Sequence, residues 1–202
     1  MKRVGIYAGT FDPIHNGHLA FAEAALIHGL DKVFFLIEPR PRRKQGVRAL
    51  EHRIAMASIA ARSHPKMGVI QLEHARFTPS HTLPHLSARF KGSELVLLFG
   101  DDVIKHMVDN LAEWPHLEDL AKDASLLIAA RHHQVKDLEL GLKNLKKYGL
   151  NFRYSFIEPG ESAVSSSTIR QAMKHAQSSP HLPQAVQEYA NEQKLYSSIS
   201  TK

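Results

Sequence analysis

Short apolar runs alternate with amphipathic stretches along the whole chain. Residues 2–8 (KRVGIYA), 32–37 (KVFFLI), 68–72 (GVIQL), 94–100 (ELVLLFG), 125–131 (SLLIAAR) and 152–158 (FRYSFIE) read as strands. After Lys32, KVFFLI is a continuous apolar run, the pattern of a strand buried on both faces. Helices are predicted over 17–29 (GHLAFAEAALIHG), ended by Gly29, over 49–63 (ALEHRIAMASIAARS), around 85–90 (HLSARF) and over 137–149 (DLELGLKNLKKYG). Two more are predicted near 168–177 (TIRQAMKHAQ) and 182–196 (LPQAVQEYANEQKLY). Strands alternating with helices imply right-handed crossovers. The expected fold is α/β: a Rossmann-like doubly wound parallel sheet with helices on both faces and a C-terminal helical segment. No repeat or linker tract divides the sequence, so residues 1–202 are expected to form a single domain, with the helices from about 165 packed on it.

Composition narrows the chemistry. With 43% hydrophobic and 23% charged residues, the chain is ordinary globular protein rather than a disordered one. It contains no cysteine, which removes disulfides, thiolate metal sites and cysteine nucleophiles together. The apolar N-terminal run is too short for a signal peptide, and no stretch approaches the length that spans a bilayer. The expected setting is cytoplasmic, without a membrane partner. A net charge of +6 points to an anionic partner. Part of it gathers in PRPRRKQGVR, which holds Arg40, Arg42, Arg43, Lys44 and Arg48; taken alone, that run reads as a solvated loop.

The segment GTFDPIHNGH, residues 9–18, falls where the first strand hands over to the first helix. Its glycines match neither the dinucleotide fingerprint nor the P-loop pattern. In a doubly wound sheet, however, ligands sit outside the carboxyl ends of the strands. Gly9 permits close approach of backbone, Pro13 restrains the turn, and the helix that follows points free N–H groups and a positive dipole end at the same place. His15 and His18, three apart, share one helix face, and Gly17 leaves room between them. A phosphate site is the expectation. Helix capping by the histidines is the plainer alternative, and zinc lacks a third ligand, so no metal-ligating set is assigned. Near the other end, VSSSTIR (164–170) offers Ser165 or Ser166 as an N-cap and sets Arg170 one turn inside a helix.

Together these two segments resemble the signatures of the HxGH nucleotidyltransferase superfamily, in the subgroup that adenylylates pyridine mononucleotides. Weaker agreement extends through ALEHRIAMASIA, PSHTLPHL, FGDD, Trp114 and the closing LPQAVQEYANEQKLY, and so covers nearly the whole chain. The resemblance implies an enzyme of NAD biosynthesis that moves AMP from ATP to the phosphate of nicotinate mononucleotide and releases pyrophosphate. It implies His15, His18 and Arg170 as catalytic groups. Gly9, Thr10, Phe11, Gly17, Gly100, Asp102, Ser166 and Ser167 would bind ATP and its phosphates. Arg43, Lys44, His81, Thr82 and Trp114 would form a looser acceptor site. Mg²⁺ would accompany ATP, held mostly by phosphate oxygens and water.

The departures from the pattern cluster at the acceptor end. PRPRRKQ replaces a Pro-Pro-His-Lys, His81 stands where tyrosine is common, and the interval from Gly100 to Trp114 is lengthened; Ala8, before Gly9, replaces a glycine. Nicotinamide mononucleotide and phosphopantetheine therefore remain alternative acceptors, and Trp114 reads equally as a stacking platform or a core aromatic. A non-catalytic nucleotide binder also stays open. A nucleic-acid binder would use the basic segment, but the sequence has neither clustered aromatics nor a reader motif, so no nucleic-acid partner is expected. Self-association into a homo-oligomer is left open.

Overall fold

The computed structural model describes residues 1–41, 44–130, 134–160, 164–175 and 177–197. Among these residues six strands form one sheet: β1 (Lys2–Gly9), β2 (Lys32–Ile37), β3 (Met67–Gln71), β4 (Ser93–Gly100), β5 (Ala124–Ala129) and β6 (Arg153–Ile157). Their order is β3-β2-β1-β4-β5-β6, and every neighbouring pair is parallel. From β1 the chain winds outward through β2 and β3, then returns to β4 and winds the other way. The crevice between the carboxyl ends of β1 and β4 is the switch point of the winding, where ligands lodge in such sheets. Gly9 and Gly100 end the two strands that border it.

Among the described residues, eight α-helices accompany the sheet: α1 (Asn16–Ile27), α2 (Leu50–Ala61), α3 (Pro79–Arg89), α4 (Asp101–Asp109), α5 (Leu117–Asp123), α6 (Val135–Asn144), α7 (Ser166–Lys174) and α8 (Gln184–Glu192). Alternate residues of the apolar strands face opposite sides and build two cores. Tyr7, Val33, Phe35, Val96, Leu98 and Leu127 pack with Phe21 of α1, Met56 of α2, Ile169 of α7 and Val186 of α8. Val4, Ile6, Leu36, Leu95, Leu97 and Leu126 pack with Leu83 of α3, Ile104 of α4, Leu120 of α5 and Leu138 of α6. The predicted continuous apolar runs are thus strands covered on both faces. Among the described residues, no helix is long and apolar enough to cross a membrane.

Local chemistry sets the helix ends. α1 stops at Gly29, which takes φ +99°, while Gly29 N–H reaches the Leu26 carbonyl and Leu30 N–H the Ala25 carbonyl. That crossed pair satisfies carbonyls left open by the last turn. α3 begins well before the predicted HLSARF. Pro79 needs no N–H partner at the first helical position, and Thr82 Oγ1 accepts from Thr78 N–H at 3.1 Å. α5 was not expected, because only Leu117 and Leu120 mark its buried side. The last predicted helix is shorter than its sequence pattern. Lys194 takes φ +51°, so Leu195 and Tyr196 leave the helix and turn into the core.

Candidate active site

The loop after β1 is shaped by its own side chains. Phe11 adopts φ +50°, and its ring stands over the end of the strand. A Cβ on Gly9 would lie 3.0 Å from that ring, so glycine here makes room for Phe11. The ring meets Tyr7, Phe35 and His18 edge-on, at centroid distances of 5.4, 5.4 and 5.0 Å. His15 takes an extended backbone as the N-cap of α1 and is buried, whereas His18 is half-buried one turn later. Their rings stack at 3.7 Å. His15 N–H donates to His18 Nδ1 at 3.2 Å, which leaves Nε2 of His18 to carry the proton of the neutral ring. His18 is thereby set as a donor whose orientation is held on two sides.

The distant serine segment closes on this loop. Ser165 caps α7, its hydroxyl accepting from Thr168 N–H at 3.2 Å. Ser166 Oγ donates to the Pro13 carbonyl at 3.0 Å, and Arg170 Nη1 donates to the Asp12 carbonyl at 2.7 Å. Asn16 N–H donates to the His181 carbonyl at 2.8 Å. The first turn of α7 is thereby clamped to Asp12 and Pro13, just ahead of the N-terminus of α1 and more than a hundred residues away in sequence.

A cleft of about 590 Å³ opens at this junction. Gly9, Thr10, Phe11, His15 and His18 line it from β1 and α1, Ser165 and Ser166 from α7, and Gly100 and Asp102 from β4 and α4. Trp114, Lys44 and the segment Phe77–Thr78–Pro79 line it as well. Asp101 is fully buried, its Oδ1 accepting from Asp102 N–H, while Asp102 faces out. Desolvation, and then the charge of Arg170, lower the pKa of Lys44 below the ordinary lysine value. Glu38 Oε1 accepts from Phe77 N–H at 2.9 Å and ties the end of β2 to the wall before α3.

Several expected residues stand elsewhere. His81 is exposed on α3 beside His74, at a ring distance of 5.7 Å, outside the cleft. Thr82 is buried, its hydroxyl occupied by the start of α3. These two expected acceptor residues thus stand on α3 outside the cleft lining, where Phe77, Thr78 and Pro79 form that wall. Arg170 reaches the backbone of the loop, and neither Gly17 nor Ser167 lines the cleft; Ser167 Oγ bonds Ser165 Oγ at 2.8 Å. Arg43 lies outside the described residues. Arg48, from the same basic run, is structural: its N–H donates to Asp12 Oδ2, and its guanidinium lies 5.3 Å from the Tyr196 ring centroid.

Three supporting residues escaped the sequence reading. Arg53, on the buried side of α2, donates to the carbonyls of Arg48, Thr10, Glu38 and Pro39 at 2.7–3.0 Å, and so joins the loops after β1 and β2. Its signal was a charge at helical spacing from Met56 and Ala57, in register with the apolar face. Asp12 and Tyr196 form the second support. Tyr196 O–H donates to Asp12 Oδ1 at 2.6 Å, with both residues buried.

Burial, and then the Asp12 charge, raise the Tyr196 pKa far above the usual tyrosine value. The folded chain keeps this proton where the unfolded chain releases it, near pH 10. Its stabilisation is therefore complete below about pH 10 and declines as the pH rises further. Tyr196→Phe is expected to cost about 1–2 kcal/mol at neutral pH. The variant should also lose less stability than the parent between about pH 8 and about pH 10.5 in urea unfolding. Parallel losses in the two proteins would remove Tyr196 as the source.

Comparison with known proteins agrees with this geometry. Residues 6–172 match the cytidylyltransferase-like family. The chain is 31% identical to the nicotinate-nucleotide adenylyltransferase of Bacillus subtilis (strain 168) over 205 residues, covering 98% of this chain and 100% of that one. The nicotinic acid mononucleotide adenylyltransferase of Plasmodium falciparum shares the fold at 17% identity. Its complex with NaAD superposes with a TM-score of 0.76 over 97% of this chain and 98% of that one, and its complex with APC with a TM-score of 0.72 over the same shares. With a histidine loop and a serine-capped helix meeting over one cleft at the switch point, this chain belongs to the cytidylyltransferase-like nucleotidyltransferases, in the family of the nicotinate-nucleotide adenylyltransferases.

Proposed function

We propose that this enzyme transfers the adenylyl group of ATP to the phosphate of nicotinate mononucleotide. An oxygen of the acceptor phosphate attacks the α-phosphorus in line. The bond from that phosphorus to the β-bridging oxygen breaks, and pyrophosphate leaves with the electron pair. No protein nucleophile is required, and the work is positioning and neutralisation of charge. The observation that carries this reading is the clamp of Ser166 and Arg170 onto the Asp12–Pro13 backbone, which brings the N-termini of α1 and α7 to one polyphosphate-sized cleft. His18, as a neutral Nε2 donor, meets the transferring phosphate, and His15 sets its plane. Gly9, Thr10 and Phe11 form the floor under the triphosphate, Ser166 and the α7 N-terminus take its far end, and Arg170 and Lys44 supply positive charge. Gly100 and Asp102 sit where a ribose would be held.

Among the described residues, no group of three His, Asp or Glu side chains is placed to hold a metal ion. The cleft suits Mg²⁺ that is bound chiefly by phosphate oxygens and water, with the exposed carboxylate of Asp102 available to its waters. When bound, the cation supplies charge neutralisation on the leaving pyrophosphate. The reading also includes a cytoplasmic setting and small-molecule partners rather than nucleic acid: the side chains of Arg53 and Arg170 bond the fold's own loops, and the Arg48 guanidinium lies over the Tyr196 ring.

Pyrophosphate release from ATP is the test, with nicotinate mononucleotide, nicotinamide mononucleotide and phosphopantetheine as separate acceptors. Turnover is expected with the first, abolished by EDTA and restored by Mg²⁺. Preference for either other compound would reassign the acceptor, and turnover with none would overturn the reaction.

A further inference from the structure

Three polar side chains form a line along the wall of the cleft built by α4 and the turn after it. His106 occupies the last turn of α4. A 3₁₀ turn, Leu111–Glu113, folds the chain back so that Glu113 and Trp114 lie beside it. Trp114 Nε1–H donates to His106 Nδ1 at 3.1 Å, and His106 Nε2 lies 3.7 Å from Glu113 Oε2. All three residues line the cleft, and Trp114 also packs against the core beneath α3–α6. An indole nitrogen only donates, so Nδ1 of His106 is the bare acceptor and Nε2 carries the proton toward the carboxylate. The hydrogen bond grips the indole at its edge, which sets the plane of the ring and leaves its faces for apolar contact.

We propose that His106 is a positioning residue, oriented by Glu113, that holds the Trp114 indole as a fixed stacking surface for the heteroaromatic ring of the acceptor. The inference rests on the reading of the cleft as an adenylyl-transfer site. Trp114 sits on an irregular turn, where among the described residues its side-chain torsions are otherwise restrained by partial packing. A ring already held in its bound orientation loses less freedom when a ligand stacks on it. Binding of the acceptor should depend on His106, and the chemistry at phosphorus should not.

The experiment uses His106→Leu, which removes the acceptor atom, and His106→Asn, which places an amide oxygen near the position of Nδ1. Trp114 is the chain's single tryptophan, so intrinsic emission and its anisotropy report on this ring alone. In H106L the emission is expected to shift, and the KM for nicotinate mononucleotide to rise about fivefold to tenfold. Its kcat and its KM for ATP should stay within about twofold, and H106N should resemble the parent in every readout. Unchanged emission in H106L would overturn the proposal. So would an equal fall in kcat/KM for both substrates, or failure of H106N to rescue. If the parent enzyme turns over no pyridine mononucleotide, the proposed reaction fails instead, and the emission comparison alone decides the brace: a shift in H106L that H106N reverses keeps it, and any other pattern rejects it. Should leucine at 106 prevent folding, H106F keeps the ring volume without the acceptor and carries the same expectations.

Discussion

His18→Ala is expected to lower turnover about 10²- to 10³-fold while changing the KM for ATP by less than about threefold. The ring touches the protein in a way that makes a purely structural role insufficient. Tyr7 and Phe11 meet it edge-on, and His15 stacks on it at 3.7 Å and supplies the N–H that its Nδ1 accepts. These contacts spend one nitrogen on orientation and keep the other as a donor at the cleft wall. A donor fixed before the reaction stabilises charge that develops on the transferring phosphate without reorganising, and that advantage is greatest in the transition state. In the proposed reaction ATP would also meet the backbone of Gly9 and Thr10, the α7 N-terminus and nearby positive charge, so its ground-state binding would be spread over many groups. Steady-state kinetics with varied ATP, on protein checked for native circular dichroism, reads the split. An unchanged turnover number, or a loss confined to the KM for ATP, would remove His18 from the proposed role.

Arg53→Met is expected to destabilise the fold by about 3–5 kcal/mol, a large share of the stability of an ordinary domain. The guanidinium is 1% exposed and donates to four backbone carbonyls. Methionine keeps much of the volume and none of the donors, so the Thr10 and Glu38 carbonyls lose the buried partner they share. Burial lowers the arginine's pKa, and the Asp12 charge opposes that shift. Arg53→Lys should recover only part of the loss, because a single ammonium cannot span carbonyls that a planar fork reaches together. Urea unfolding measures the difference. A change below about 1 kcal/mol would mean that water or a neighbouring group satisfies these carbonyls. Activity should fall along with stability, since Thr10 and Glu38 border the cleft that Arg53 ties together.

Much of this molecule is legible in one dimension. Continuous apolar runs such as KVFFLI and ELVLLFG can be satisfied only between two layers of helices, so the parallel sheet follows from local pattern and the rules of connection. GTFDPIHNGH and VSSSTIR carry enough local chemistry, in turn residues, caps and phosphate-suited side chains, to mark two helix openings. PSHT, expected at the acceptor, is the start of a helix. Pro79 and Thr82 are claimed by backbone requirements, and a helix turns His81 outward whatever its side chain could do.

What the chain's order of residues determined alone was the layering of the sheet and the two segments that open α1 and α7, because strand burial and helix capping are decided within a few neighbouring positions. Only the tertiary structure decided that Ser166 and Arg170 grip the backbone of Asp12 and Pro13. It alone placed Arg53 and Tyr196 beneath that loop, and it set Trp114 against His106. Each of these contacts joins a side chain to a partner on a different turn or element of the chain. Their distances are set by how the helices seat on the two faces of the sheet, and no local pattern encodes that seating.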